Sequence, residues 1–138
     1  MTTWGDLPRR EDSLRELIAL VNRIRHENPA LQNNLGLRFH TADNEQILCY
    51  SKSAGDNVIV VVVNLDPRNA HAGWIELDLA ALQLEPDRTY QVHDLLSNAR
   101  HSWRGSRNYV QINPHTVPAH IFRIRRRVRT ERDFEYFL

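Results

Sequence analysis

One change of hydrophobic period, at Pro29, constrains this chain more than any other feature. Before it, Leu14, Leu17, Ile18, Val21 and Ile24 recur at helical spacing and form a single apolar stripe. Ser13 and Glu16 fit a capping box, in which the serine oxygen and the glutamate each satisfy an orphan backbone N–H. Pro29 cannot continue a helix, and it pushes Asn28 out of helical geometry. The spacing therefore predicts a helix from about Leu14 to about Glu27.

After Pro29 the period becomes 2. Leu35, Leu37 and Phe39 alternate with Gly36, Arg38 and His40, and Glu45 to Ser51 reads as a second strand. Val58 to Val63 is six β-branched residues without a break, the composition of a central strand buried on both faces. Asp66, Pro67, Arg68 and Asn69 then supply turn chemistry. Ile75, Leu77 and Leu79 alternate in the next strand, and Tyr90 and Val92 mark a fifth. His101 and Trp103 mark a sixth, Tyr109 to Ile112 a seventh, and Ala119 to Ile124 an eighth. Short strands with regular turn signals indicate a mainly β fold: an antiparallel β-sandwich of about eight strands preceded by one N-terminal α-helix. No β-α-β alternation is present, which disfavours a nucleotide-binding parallel sheet. The expected organisation is an N-terminal helical segment over residues 1–31, a sandwich over 32–126 and a charged, aromatic tail over 127–138.

At 138 residues the chain has one domain's worth of sequence, and a domain of that size buries enough surface to need neither metal nor disulfides. A formal net charge of +1 offers no global field for nucleic acid or membrane. The longest apolar stretch has six residues and no signal peptide is evident, so the expected location is the cytoplasm. The single Cys49 excludes a disulfide framework and any cysteine-based zinc site. Of the 18 basic residues, 17 are Arg and one is Lys52, a uniform bias better explained by GC-rich codons than by phosphate binding.

The sequence carries few chemical constellations. The seven histidines, at 26, 40, 71, 93, 101, 115 and 120, show no metal-ligand spacing, and Asp94 points to the strand face opposite its neighbour His93. G-x-S-x-G, P-loop and G-x-G-x-x-G patterns are absent, so no catalytic residue, cofactor or metal ligand is assigned. Cys49 reads as a small buried hydrophobe inside its strand. Glu76 and Asp78 share a strand face with Trp74, but lack the apolar enclosure that would raise a carboxyl pKa for glycoside chemistry. Trp74, Trp103 and Tyr109 are the candidates for stacking on sugar, against the commoner role of aromatics in a core. No three aromatics lie at a spacing that makes them coplanar, so weak or absent sugar binding is expected. The basic run Arg123 to Arg129 reads as the end of the last strand, fraying into a solvated tail.

These residues also carry a resemblance. The helix through Val21-Asn22-Arg23-Ile24-Arg25, followed by Glu27-Asn28-Pro29-Ala30-Leu31-Gln32, is similar to the last barrel helix of α-amylase-type (glycoside hydrolase family 13) enzymes. Ile47 to Lys52, Val61 to Pro67, Trp103-Arg104-Gly105, Asn108-Tyr109-Val110 and Pro118-Ala119-His120-Ile121 resemble the α-1,4-glucan:maltose-1-phosphate maltosyltransferases. That family transfers a maltosyl unit from maltose 1-phosphate onto an α-1,4-glucan, with retention, in glycogen-type polymer synthesis. Its catalytic carboxylates lie on barrel strands upstream of this helix, and no position here matches them. A (β/α)8 barrel needs about 200 residues or more, which 138 cannot supply. The resemblance implies a final helix plus a non-catalytic C-terminal sandwich whose partner is a catalytic barrel. An α-glucan-binding module and an oligomerisation element are the alternatives. Without a barrel, the stripe Leu14, Leu17, Ile18, Val21 and Ile24 is expected to pair two copies in a homodimer.

Overall fold

The computed structural model describes residues 6–129 and 135–137. One helix, α1 (Asp6–Glu27), leads through a single 3-10 turn (Pro29–Gln32) into nine strands. These are β1 (Arg38–Ala42), β2 (Ile47–Ala54), β3 (Asn57–Asn64), β4 (His71–Glu76), β5 (Thr89–Asp94), β6 (Arg100–Arg104), β7 (Arg107–Ile112), β8 (Ala119–Arg129) and β9 (Glu135–Phe137). All pairings are antiparallel, in the order β6-β5-β8-β3-β2-β1-β4-β7, with β9 on β8.

β1 makes the path a sandwich. Its first half, Arg38 to His40, pairs with β2, and its second half, Thr41 and Ala42, pairs with β4. The strand thus passes from a larger sheet (β6, β5, β8, β3, β2) into a smaller one (β4, β7). The two ends of the path, β6 and β7, are joined by the two-residue link Gly105–Ser106, where Gly105 takes φ +76°, a conformation natural to glycine. Asn108 Nδ2 donates to the Gly105 carbonyl at 3.2 Å and to the Tyr90 hydroxyl at 3.0 Å, and that hydroxyl donates to the same carbonyl at 2.8 Å.

The run of β-branched residues does what its composition predicts. Val58, Val60 and Val62 point into the core between the sheets, among Ile75, Tyr90 and Phe122. Ile59 and Val61 point to the opposite face, where Ala30 and Leu31 of the 3-10 turn cover them. Each such fully buried side chain contributes about 1.5–3 kcal/mol of transfer free energy. Two asparagines fix the cover in place. Asn57 Oδ1 accepts the Ala30 N–H at 2.9 Å, Asn57 Nδ2 donates to Asn28 Oδ1 at 3.0 Å, and Asn28 Nδ2 donates to the Ile24 carbonyl at 2.7 Å. The last bond satisfies a carbonyl that the end of α1 leaves without a helical partner.

Several expectations need correction. α1 begins at Asp6, so Ser13 and Glu16 lie inside the helix and not at its start. Pro8 stands in the first turn, where its missing N–H costs nothing, so the helix extends upstream of the expected start. Within the stripe the correction is Ile24, which is buried at 4% in its own chain, whereas Leu14, Leu17, Ile18 and Val21 are exposed. Leu35 is 94% exposed in the turn before β1, because the chain bends at Gly36 instead of entering a strand at Leu35. The second strand starts at Ile47, since Glu45 and Gln46 belong to the β1–β2 turn. Leu77 and Leu79 follow β4 rather than extend it, yet both reach the core. β8 runs past residue 126 to Arg129 and pairs there with β9, so the basic run continues as ladder instead of fraying.

A Cβ on Gly36 would run into the backbone carbonyl of Ser53 on β2. Gly36→Ala is therefore expected to destabilise the domain by about 1–3 kcal/mol, read as a lowered midpoint in urea unfolding with unchanged slope. An unchanged midpoint would show that this approach is not tight.

Candidate functional site

Among the described residues, the side chains suited to chemistry or binding gather in three places. The first is the solvent face of the smaller sheet. β7 alternates cleanly, with Arg107, Tyr109 and Gln111 outward and Asn108, Val110 and Ile112 inward. β4 turns Trp74 and Glu76 to the same outer face. The register sets Trp74 directly opposite Tyr109 and Glu76 opposite Arg107. Trp74 is 43% and Tyr109 is 53% exposed, with ring centroids 5.4 Å apart in an edge-to-face arrangement. The Arg107 guanidinium lies 5.1 Å from the indole centroid, a cation–π contact that orders the ring.

Beside these rings runs an open groove of about 690 Å³, walled by Trp74, Tyr109, Gly73 and the β1–β2 turn residues Asp43, Asn44, Glu45 and Gln46. The turn is held firmly. The Asp43 N–H donates to the Trp74 carbonyl at 3.0 Å, and Asp43 Oδ1 accepts the Trp74 N–H at 2.8 Å. Asn44 donates to the Ala72 carbonyl at 3.1 Å, while its Oδ1 accepts the Gln46 N–H at 2.9 Å. A Cβ on Gly73 would meet Asp43 Oδ1 at 2.6 Å, so any larger residue there would displace the Asp43 carboxylate.

Trp103 is placed differently. It packs against the core, edge-on to Phe122 at 5.2 Å and to Tyr90 at 6.4 Å. It lines a smaller cleft of about 320 Å³ with Tyr109, Gln111, His120 and Phe122, at the open seam between β7 and β8. Of the three aromatics named from sequence, the structure brings Trp74 and Tyr109 together on one exposed face and sets Trp103 inward.

The second place is that seam. His120 Nδ1 stands 2.9 Å from Asp94 Oδ2, and its Nε2 stands 2.9 Å from the Gln111 carbonyl. With an acceptor on each nitrogen, the ring is suited to carry two protons. Asp94 is buried and also accepts the Leu96 N–H at 3.1 Å and the Ser97 hydroxyl at 2.9 Å. Burial opposes charge on both groups. The hydrogen bonds outweigh it, so the His120 pKa is raised above 6.5 and the Asp94 carboxyl is held below the usual range. This pair joins β5 and β8 of one sheet to β7 of the other. Its members are 26 residues apart, and no local signal in the sequence announces it.

Cys49, His40 and Asp78 have structural roles. Cys49 is buried and its thiol is pushed up to about 12 by desolvation, so it is no nucleophile. His40 Nδ1 accepts the Asp78 N–H at 3.1 Å, which leaves Nε2–H to donate to the Ser51 hydroxyl at 2.8 Å. A histidine in that tautomer cannot take the serine proton, so the pair is not a catalytic dyad. β4 ends at Glu76, so Asp78 lies beyond the strand face that carries Trp74 and Glu76, contrary to expectation, and it pairs with Arg38 at 3.2 Å. Among the described residues no cluster of three or more His, Cys, Asp or Glu comes together to hold a metal.

The third place is the outer face of the larger sheet, beyond the 3-10 turn. The register puts Arg100, Arg123 and Arg125 there with His93 and Gln91. Burial, together with Arg123 and Arg100 nearby, lowers the Arg125 pKa, and its Nε is buried without a hydrogen-bond partner among the described residues.

Comparison with known proteins adds the context. The family model described as "GLGE, C-terminal" matches residues 39–124. An alpha-1,4-glucan:maltose-1-phosphate maltosyltransferase of Salinibacter ruber is 45% identical over 121 residues, covering 88% of this chain and 18% of the relative. One of Rhodospirillum rubrum is 48% identical over 116 residues, covering 83% of this chain and 17% of the relative. The chain thus spans less than a fifth of the length of the curated relatives it matches. Among solved structures, a noncanonic maltogenic alpha-amylase, AmyB, from Thermotoga neapolitana superposes with a TM-score of 0.56 at 12% identity, over 75% of this chain and 23% of that one. A likeness at that identity shows a shared fold.

The His120–Asp94 pair makes a pH dependence. His120 has a folded pKa above its unfolded value, so its contribution is complete below about pH 6.5 and is lost as pH rises through the raised value. Asp94 has the opposite sign, and its contribution is lost as pH falls through its lowered value. The melting temperature of the wild type is expected to fall relative to His120→Gln as pH rises from 6 towards 9. Parallel curves for the two proteins would contradict the doubly protonated ring.

Proposed function

This chain belongs to the GLGE C-terminal family, and from that premise we propose that it is the non-catalytic C-terminal domain of a maltosyltransferase-like enzyme, carrying and bracing a larger catalytic portion. The observation that supports this reading best is α1. Leu14, Leu17, Ile18 and Val21 form an exposed apolar strip on a helix whose far end is clamped to the sandwich. A strip of that kind on a soluble domain is a surface made to be covered. Arg100, Arg123 and Arg125 on the outer sheet face add a basic surface suited to carboxylates of the same partner. The transfer of maltosyl units from maltose 1-phosphate to an α-1,4-glucan belongs, in this reading, to the whole enzyme, with no reacting group drawn from these residues.

When the domain stands alone, the strip pairs two copies. Ile24 is already buried within its own chain, so the pairing uses Leu14, Leu17, Ile18 and Val21. The isolated chain is expected to release no phosphate from maltose 1-phosphate. At about 100 μM it is expected to sediment as a dimer, and Val21→Glu as a monomer of unchanged melting temperature. Phosphate release that scales with protein and is lost on heating would overturn the non-catalytic reading. A wild-type monomer, indifferent to Val21→Glu, would overturn the role given to the strip.

A further inference from the structure

We propose that the groove beside Trp74 and Tyr109 is a binding platform for a neutral α-glucan chain. Its construction selects the ligand class. Two aromatic rings stand on neighbouring strands, exposed by about half and held close together. Flat rings of this kind offer an apolar face to the C–H groups of a pyranose and bury area at low entropic cost. Exposed Asp43, Glu45 and Gln46 line the groove with the rings and present acceptors to sugar hydroxyls.

The charges exclude other ligands. Asp43, Glu45 and Glu76 surround the rings, and the nearby cation, Arg107, is occupied by stacking on Trp74. A phosphate-bearing ligand, nucleic acid included, would meet carboxylates rather than free guanidinium groups. The groove is open and mixed in polarity, unlike the enclosed apolar pocket that a hydrophobic small molecule requires. A neutral polyol fits both conditions. The site is also built before any ligand arrives, because Asp43 fixes the Trp74 backbone through two hydrogen bonds and Arg107 fixes its ring. Preorganisation of that kind lowers the ordering cost of binding.

The assignment to a neutral sugar rests on the groove. The further assignment to an α-1,4-linked chain rests on the family reading above. Two rings support only weak binding of a single short chain, with a dissociation constant on the order of 1 mM. A long glucan offers many such stretches, so the platform would act by repeated contact to keep polymer near the enzyme.

Titration of the isotope-labelled chain with maltoheptaose, followed by NMR, tests the platform. The expected result is a shift of the Trp74 indole N–H signal and of the amides of Asp43, Asn44, Glu45 and Gln46. Trp74→Ala and Tyr109→Ala are each expected to weaken binding about tenfold or more at unchanged melting temperature. The wild-type shifts locate the site even where a variant proves unstable. No shift at about 10 mM sugar, or shifts confined to other residues, would overturn the platform while leaving the bracing role to be judged by sedimentation. Equal shifts with cellopentaose would overturn the α-linked assignment and leave the aromatic groove as a general sugar surface.

Discussion

The structure depends on a small polar clasp at the point where helix gives way to sheet. Asn28, the residue before Pro29, is buried, and its amide closes the carbonyl of Ile24 while its Oδ1 receives Asn57. Asn57, at the start of β3, receives the Ala30 N–H in return. Pro29 forces the chain out of the helix, and the clasp decides where it goes: onto the outer face of β2 and β3, with Ala30 and Leu31 covering Ile59 and Val61. Loss of either asparagine side chain would strand a buried polar group, at about 1–3 kcal/mol. The helix would then lose its fixed relation to the sandwich, and with it the orientation of the strip that the proposed function requires.

Much of this was legible in residue patterns, and for physical reasons. A period of 3.6 followed by a period of 2 reports which faces are buried, so the single helix and the strand-rich remainder follow from it. The unbroken run from Val58 to Val63 reports burial on both faces, and the two core clusters share β3 between them. The start of α1 was hidden because the capping-box pattern of Ser13 and Glu16 drew it to Leu14, while Pro8 is compatible with a first helical turn. Leu35 and Leu37 misled because alternation does not distinguish a strand from a turn that exposes its leucines. The stripe on α1 was visible as a stripe, but a pattern cannot say which body covers it.

The candidate site was legible in its residue types and hidden in its geometry. Trp74 and Tyr109 lie far apart in the chain, and only the β4–β7 register sets them opposite each other, edge to face, across one pair of strands. Trp103, equally prominent in sequence, turns inward because its strand closes over Tyr90 and Phe122. The turn that completes the groove, Asp43 to Gln46, carries no sequence motif. Its role comes from Asp43 bonding the Trp74 backbone across the sheet. The His120–Asp94 pair is likewise a product of strand order, since β5 and β8 become neighbours only through a crossover.

The hydrogen bonds of the clasp are expected to hold helix and sandwich as one body, with the exposed strip presented in a fixed direction. Spin labels on Arg15→Cys and Arg104→Cys measure this directly by double electron–electron resonance, because both positions are exposed and the native Cys49 is buried with its thiol pushed up to about 12. A single narrow distance distribution is predicted for the otherwise wild-type chain, broadening markedly when Asn57→Ala is added. A broad distribution in the presence of the intact clasp, or a narrow one that Asn57→Ala leaves unchanged, would contradict the account.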